Sequence, residues 1–423
     1  MRKIHLFSAS AAMWLSVGCV AAAPVKTGIE VLRERGFDVL RGKRVGLVTN
    51  PTGVDRRLVS TIDVLDSAAR RGMFELAALY GPEHGVRGDA EAGQAVASGR
   101  DARTGVRVFS LYGRTTRPTR EMLAGVDVLV FDIQDIGTRS YTYISTMGRV
   151  MEGAAEAGVP VVVLDRPNPM GGLRVEGRER IEEGLVSFVS AYPIPYIHGM
   201  TVGELARMLN EEGMLRGGVR CGLTVVPMEG WRREMGWEEC GLPWVATSPH
   251  IPTPEGALYY PTTGTIGELG TLHIGVGYTL PFRTVAAGWI GDAEGLAQRL
   301  NGLPELAGCR FRPIHYRPFY GADKGTMMHG VEIFLPRGTK EADSLVFTLI
   351  PFYIMQELAA LCPEHKPLEE ATDSKRAMFD KVLGTSQMRR MFLEAGCRVT
   401  PQLRAFWRPS QAFLEKRRKY LIY

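Results

Sequence analysis

Between residues 43 and 226, short apolar runs alternate with longer stretches in which apolar positions recur about every 3.6 residues. The short runs are rich in valine and leucine, as buried strands are, and the longer stretches have the spacing of amphipathic helices. The predicted strands span residues 45–49, 76–79, 106–109, 126–131 and 159–164, and the predicted helices span residues 58–69, 140–157 and 202–210. This alternation predicts an α/β fold with a parallel sheet covered by helices on both faces.

The pattern becomes irregular between residues 231 and 254, where three tryptophans stand among glycines and prolines. We interpret this stretch as a crossing segment or linker, in which the tryptophans either pack against the first domain or stack on a sugar. Packing is favoured, since tryptophan is mostly buried in folded proteins. A second, smaller α/β domain is predicted to follow. The predicted boundaries are therefore residues 24–255 and 256–423.

Polar clusters follow four of the predicted strands. Asn50, the pair Glu83 and His84, the group from Asp132 to Asp135, and the pair Arg166 and Asn168 each stand directly after an apolar run. Since the carboxyl ends of parallel strands meet at one edge of a sheet, these side chains are predicted to line a cleft there. The alternative is that asparagine, aspartate and proline simply form the turns they favour.

Glu83 and His84 lie in a run of Gly, Pro, Glu, His, Gly, Val, Arg and Gly at residues 81–88, which excludes regular structure after the second strand. Burial against the strand would favour the protonated carboxyl that a general acid needs, and His84 is a candidate base or orienting partner. Alternatively, Glu83 caps a helix and His84 fills a turn.

Composition places the chain among exported folded proteins. It has 423 residues, 45% of them hydrophobic and 23% charged, and a formal charge of +5. Arg2 and Lys3 precede an apolar stretch that ends near residue 23, which predicts a signal peptide at residues 1–23 and a periplasmic or other extracytoplasmic location. Cys19 offers an alternative lipid anchor. Without Arg2 and Lys3 the charge falls from +5 to +3, too low to favour nucleic acid as a partner, and no later apolar run is long enough to span a membrane.

The sequence lacks the motifs of several common enzyme classes. No G-x-G-x-x-G follows the first strand, and neither G-x-x-x-x-G-K-[ST] nor G-x-S-x-G occurs, so no nucleotide cofactor and no serine hydrolase are predicted. The six cysteines form no C-x-x-C pair. No H-x-x-x-H concentrates metal ligands, and no metal is predicted, although metal-assisted hydrolysis remains an alternative. The residues considered as ligands are His84, His198, His250, Asp132 and Asp135.

Three strings carry a resemblance to a known family: residues 81–88, residues 130–137 (Val-Phe-Asp-Ile-Gln-Asp-Ile-Gly) and residues 164–169 (Leu-Asp-Arg-Pro-Asn-Pro). With them the chain resembles the bacterial exo-β-N-acetylmuramidases, from about Lys43 to Tyr423. These glycosidases release N-acetylmuramic acid from the non-reducing ends of peptidoglycan fragments. The resemblance implies a Rossmann-like α/β domain, a smaller C-terminal domain, an active cleft between them and a peptidoglycan-derived saccharide as substrate.

By this resemblance Glu83 becomes the general acid, and His84 positions it or helps to activate water. Glycoside cleavage normally needs a second carboxylate, for which Asp132 and Asp135 are the candidates. Asp132 is placed with the catalytic residues, although it could instead bind sugar hydroxyls or cap the turn. The acetamido group of the substrate is an alternative internal nucleophile.

The remaining predicted site residues bind substrate. Three arginines are candidates to bind the lactyl carboxylate of muramic acid: Arg87, Arg139 and Arg166. Each could instead be a structural ion-pair partner. The full predicted binding set is Asn50, Arg87, Gln134, Asp135, Arg139, Arg166, Asn168 and Glu268.

One stretch departs from the family pattern. Relatives carry S-E-G-R-G-T where this chain reads Leu-His-Ile-Gly-Val-Gly-Tyr at residues 272–278, so that Ile274 replaces the acid and Val276 the arginine. Glu268 still matches the other acid of the family. The departure keeps open a non-catalytic, glycan-binding relative as the alternative function.

Overall fold

The computed structural model describes residues 24–83, 85–88, 99–113, 115–336 and 344–423. The predicted signal peptide, Cys19 and His84 lie outside these residues. Among the described residues, no helix combines the length and the apolar character that crossing a membrane would require.

The first half of the chain forms a seven-stranded sheet in the order β3-β4-β2-β1-β5-β6-β7. Every neighbouring pair is parallel except β3 and β4, so the predicted α/β fold with a parallel sheet is confirmed. The chain leaves β1 towards one edge and later returns to build the other edge from β5, which makes the β1/β5 boundary the switch point of the sheet. The strands are β1 (Arg44–Thr49), β2 (Glu75–Gly81), β3 (Gly99–Arg100), β4 (Arg107–Ser110), β5 (Val128–Asp132), β6 (Val161–Leu164) and β7 (Leu223–Val226).

Helices cover both faces of this sheet. On one face α1 (Gly28–Glu34) and α2 (Thr61–Arg70) bury their apolar residues, and on the other face α3 (Tyr143–Ala157) and α4 (Val202–Glu211) do so. Local capping fixes where two of them begin: the Ser60 hydroxyl accepts the amide of Asp63, and Thr201 forms a capping box with Glu204. The five predicted strands and three predicted helices are confirmed within a few residues.

The second half forms a smaller α/β unit around a three-stranded antiparallel sheet in the order β8-β10-β9. Its core also contains Ile136, Tyr196 and Ile197 from the first half, so the two halves share apolar contacts. The elements are α5 (Pro254–Gly267), β8 (Thr284–Ala287), α6 (Ala293–Asn301), β9 (Arg310–Tyr316), β10 (Met328–Phe334), α7 (Ile350–Leu361), α8 (Pro367–Glu370), α9 (Asp373–Leu383), α10 (Gln387–Glu394), α11 (Pro401–Phe406) and α12 (Gln411–Arg418).

The end of the chain returns to the first half. Phe413 and Tyr420 pack into the core beneath α3 and α4, and the Tyr423 hydroxyl donates to the buried carboxylate of Asp165 at 2.8 Å. In the connecting segment Trp231 and Trp237 are buried, which agrees with the packing prediction, whereas Trp244 is partly buried against the core of the second half. The five cysteines that the structure describes are all unpaired.

Candidate active site

The carboxyl ends of β1, β2, β5 and β6 lie along one edge of the sheet, as the sequence predicted. The parallel registers align Val48 with Tyr80 and Thr49 with Asp132, which brings Asn50 next to the residues that follow β2 and β5. Residues 246–249 of the connecting segment cover part of this edge. Between them lies a cavity of about 230 Å³ that is also lined by Asn50, Pro51, Gly88 and Tyr143.

Glu83 follows β2 at the rim of this edge and is partly buried. Pro82 accepts a turn hydrogen bond from Gly85, whose φ of 77° lies in the left-handed region that favours glycine. The Tyr112 hydroxyl is hydrogen-bonded to Glu83, and burial together with this carboxylate raises the pKa of Tyr112. The turn therefore holds the Glu83 carboxyl beside a phenol. The predicted partner His84 lies outside the described residues.

Tyr143, the first residue of α3, contacts both the loop after β1 and residues 246–249 of the connecting segment. Its hydroxyl donates to the Thr247 carbonyl at 2.7 Å and is also in hydrogen-bond contact with the Asn50 side chain. Burial raises the pKa of Tyr143, and the charges of Glu83 and Asp135 raise it further. The hydroxyl thus lies within electrostatic reach of two of the predicted acids.

Asp135 lies in a buried polar pocket just beyond β5. One carboxylate oxygen, Oδ2, accepts the Gly137 amide at 2.7 Å and lies 3.7 Å from Nε2 of His198. The other oxygen has no hydrogen-bond partner among the described residues, and the same holds for three neighbouring atoms. These atoms are Gln134 Oε1, Thr138 Oγ1 and His198 Nε2. Since an unpaired buried polar group costs about 1–3 kcal/mol, a hydrogen bond to a bound polar molecule would stabilise these atoms.

Asp132 occupies a different environment, at the end of β5 itself. The Arg166 guanidinium donates to its two oxygens at 2.5 Å and 3.0 Å, and the Thr61 hydroxyl also donates to it. Both partners of this ion pair are almost wholly buried. The arrangement matches a structural ion pair and leaves Asp135 as the better-placed second carboxylate.

The three arginines predicted to bind a substrate carboxylate are engaged within the protein. Arg87 pairs with Asp101 at 2.5 Å and with Asp63 at 3.1 Å, and these contacts raise its pKa. Arg139 is fully buried and donates to carbonyls of both halves, including those of Ile194 and Leu383, while burial lowers its pKa to about 10. Arg87, Arg139 and Arg166 therefore match the alternative prediction, in which each arginine is a structural partner within the protein.

The other predicted binding residues divide into two groups. Asn50 and Asn168 are buried and order loops, since their oxygens accept the amides of Thr52 and Met170. Glu268 is half-buried at the end of α5, and burial raises its pKa against the opposing charge of Lys375. Glu268 and Asp135 both act electrostatically on Tyr260, whose burial raises its pKa to about 12.

The departure from the family pattern lies close to Glu268. Ile274 is buried, and its side chain packs against Gly267, the residue before Glu268. Val276 is partly buried against the core of the second half. Apolar packing therefore occupies the two positions at which the resemblance implies an acid and an arginine.

The sequence analysis assigned no role to Tyr112, Tyr143 or residues 246–249, and it considered His198 only as a metal ligand. Nothing in the spacing of Tyr143 and His198 along the chain indicates that they lie near Glu83 or Asp135. Among the described residues, no group of three or more His, Cys, Asp or Glu side chains is arranged to hold a metal ion.

Comparisons with known proteins agree with this architecture. The chain is 40% identical over 435 residues to the peptidoglycan beta-N-acetylmuramidase NamZ of Bacillus subtilis, with 100% of both chains covered. Two solved structures of DUF1343 family proteins from Bacteroides fragilis are similar in fold, and each comparison covers 95% of this chain and 99% of the other. One is 48% identical with a TM-score of 0.87, and the other is 26% identical with a TM-score of 0.73.

Family models cover nearly all of the chain that follows the predicted signal peptide. The N-terminal model of exo-beta-N-acetylmuramidase NamZ matches residues 45–255, and the C-terminal model matches residues 258–423. These two matches and the full-length relative show that the chain is a glycosidase and belongs to the exo-β-N-acetylmuramidase NamZ family.

Proposed function

We propose that this glycosidase releases N-acetylmuramic acid, or a related amino sugar, from the non-reducing end of peptidoglycan fragments by general acid/base catalysis. The observation that carries the proposal is that Glu83 and Asp135 follow β2 and β5, the strands on either side of β1, at the sheet edge where Tyr143 lines the cavity. Glycoside cleavage normally uses two carboxyl groups at one site. The Bacillus subtilis relative, named a peptidoglycan beta-N-acetylmuramidase, supports the choice of substrate.

Glu83 is the general acid in this mechanism. As the bond from the anomeric carbon to the leaving oxygen breaks, its electron pair stays on that oxygen, which takes the proton of Glu83. The turn at Pro82 and Gly85 fixes the backbone on either side of Glu83, whose side chain is partly buried.

Asp135 is the second carboxylate. It either takes a proton from the attacking water or supports the acetamido group of the substrate if that group attacks first. Asp132 is not suited to either role because Arg166 and Thr61 already occupy its oxygens. The anomer of the released sugar, followed by NMR, separates the routes: direct attack by water inverts the configuration, and attack by the acetamido group retains it.

The proposal is tested with a chromogenic glycoside of N-acetylmuramic acid. We expect wild-type turnover and a loss on the order of 10²- to 10⁴-fold in Glu83→Gln. Glu75→Gln is the matched control, because Glu75 is an exposed acid at the opposite end of β2. Wild-type binding without turnover would support the glycan-binding alternative instead.

The metal-assisted alternative is tested on the same substrate. We expect full activity after dialysis against a chelator. Loss of activity that a divalent ion restores would favour metal-assisted hydrolysis.

Export belongs to the same proposal, since peptidoglycan lies outside the cytoplasm. Its support is the charged and apolar pattern of residues 1–23. Cell fractionation with Cys19→Ser would test it: a soluble periplasmic product in both forms indicates cleavage, and membrane release only in the variant indicates a lipid anchor.

A further inference from the structure

His198 is a buried histidine that the proposed mechanism does not use. It is 1% exposed and lies in a segment wedged between two others, because Ile197 forms backbone bridges with both Thr138 and Glu176. The amide of Arg139 also donates to the Tyr196 carbonyl at 2.7 Å. The backbone therefore fixes His198 beside the residues that follow β5.

One ring nitrogen of His198 has a defined role. Nδ1 accepts the amide of Met200 at 3.2 Å, so in the neutral ring the proton is on Nε2. Nε2 is the nitrogen that faces Asp135, at 3.7 Å from Oδ2. This distance is longer than a hydrogen bond, and catalytic contacts of this kind often shorten when substrate binds.

The two oxygens of Asp135 are not equivalent. Oδ2 is held by the Gly137 amide and faces His198, whereas Oδ1 is buried and has no partner among the described residues. A carboxylate held on one side presents its other oxygen in a fixed direction. An acid or base whose orientation is set by a third group is a common arrangement in active sites.

We infer that His198 is a positioning residue that holds Asp135 so that Oδ1 faces the reacting sugar. This inference rests on the proposed function and adds to it a residue that acts through the second carboxylate. Oε1 of the preceding residue, Gln134, is likewise an acceptor with no partner among the described residues, so both oxygens are suited to the neutral hydroxyl or amide donors of a sugar rather than to its carboxylate.

A double-mutant cycle on the chromogenic glycoside tests the inference. Removing a catalytic base costs about 10²- to 10⁴-fold, and we expect Asp135→Asn to fall in that range. His198→Ala should lower kcat by more than about tenfold while KM changes little. His198→Gln should recover much of this loss, since its amide also donates a hydrogen bond. The double variant Asp135→Asn/His198→Ala should be no worse than Asp135→Asn alone.

His273→Ala is the matched control. His273 is also buried, and its Nδ1 accepts the Gly275 amide at 3.1 Å and contacts the Tyr316 hydroxyl at 2.7 Å, but it forms no ion pair with a carboxylate among the described residues. A general effect of emptying a histidine cavity would lower kcat in both variants, whereas a positioning role lowers it in His198→Ala only. Thermal unfolding of each variant verifies that the fold is kept.

The outcomes separate the two proposals. If the wild type turns over the glycoside and the effects of His198→Ala and Asp135→Asn are additive, the positioning role is wrong and the proposed function stands. If the kcat of His198→Gln does not exceed that of His198→Ala, the positioning role is also wrong. If the wild type has no turnover, the proposed function fails and the inference fails with it.

Discussion

Arg166 holds both carboxylate oxygens of Asp132, at 2.5 Å and 3.0 Å, in an ion pair that solvent barely reaches. This pair joins the carboxyl ends of β5 and β6, and the Arg166 guanidinium also donates to the Val54 carbonyl at 2.9 Å. It therefore ties together three loops of the edge that carries the site. Asp135, three residues beyond Asp132, lies in the neighbouring polar pocket with an oxygen unpaired among the described residues.

Asp132→Asn tests the structural role of this pair. Breaking a buried ion pair leaves an uncompensated charge on Arg166, and we expect the free energy of unfolding to fall by about 3–5 kcal/mol, measured by urea denaturation. The control is Asp127→Asn, which breaks the exposed pair with Arg44 and should change stability little. A stable Asp132→Asn protein without turnover would instead favour a catalytic role for Asp132.

Tyr143→Phe tests the connection across the cleft. The variant loses the hydrogen bond to the Thr247 carbonyl and the contact with Asn50, so residues 246–249 are less firmly held over the cavity. We expect kcat/KM to fall by about tenfold, the equivalent of ~1.4 kcal/mol, as steady-state kinetics will show. Tyr259→Phe, which removes a tyrosine hydroxyl bonded to the Leu335 amide, is the control and should leave kcat/KM unchanged.

Arg139→Gln distinguishes substrate binding from a structural role. Its guanidinium donates to the carbonyls of Arg178, Ile194 and Leu383, and a buried carbonyl that loses its donor costs about 1–3 kcal/mol. We expect lower stability in thermal unfolding, with KM for the muramic acid glycoside little changed. If the KM of Arg139→Gln rises while its stability stays that of the wild type, Arg139 binds the substrate as the sequence predicted.

Asp165 predicts a pH dependence of stability. Burial raises its pKa from 3.8 to about 6 in the folded protein. Below about pH 4 both states hold the proton, and between about pH 4 and 6 only the folded state does. The contribution to stability is therefore present at low pH and is lost as the pH rises to about 6. Each tenfold change in proton affinity is worth about 1.4 kcal/mol, so the loss is on the order of 3 kcal/mol.

Asp165→Asn removes this titration. We expect the difference in unfolding free energy between variant and wild type to shift in favour of the variant as the pH rises from 4 to 7, measured by urea denaturation at each pH. The amide can still accept from the Gly203 amide, and the Thr201 hydroxyl can reorient to accept from it. A difference that does not vary with pH would show that Asp165 does not titrate in this range.

Tyr423→Phe addresses the contact of the chain end with Asp165. Its hydroxyl donates to Asp165, which favours the ionised carboxylate, and accepts the amide of Met228 at 2.7 Å. We expect the pKa of Asp165 to rise further, so that the loss of stability extends to higher pH, and the protein to lose about 1–2 kcal/mol at pH 7. An unchanged pH profile would contradict the coupling.

The sequence by itself determined the sheet and the edge of the sheet at which the candidate site residues lie. The valine-rich runs of β1, β5 and β6 and the helical spacing of α3 are local patterns, which depend only on neighbours along the chain. Parallel pairing then follows from the alternation, and it places Asn50, Glu83 and Asp135 at one edge without further information. Three elements of the first half were missed: β3 has only two residues, β7 has only four, and α1 precedes the stretch in which the alternation is clear.

Only the tertiary structure decided which contacts each polar residue at this edge makes. Asp132 ends β5 and Asp135 lies three residues beyond it. What separates these two acids is contact with Thr61, Arg166 and His198, which lie 34 to 71 residues along the chain from the acid that each contacts. The same holds for Arg139, whose carbonyl partners include Leu383 in the second half. A hydrogen bond depends on the position of both partners, and sequence spacing specifies that position only within a single element.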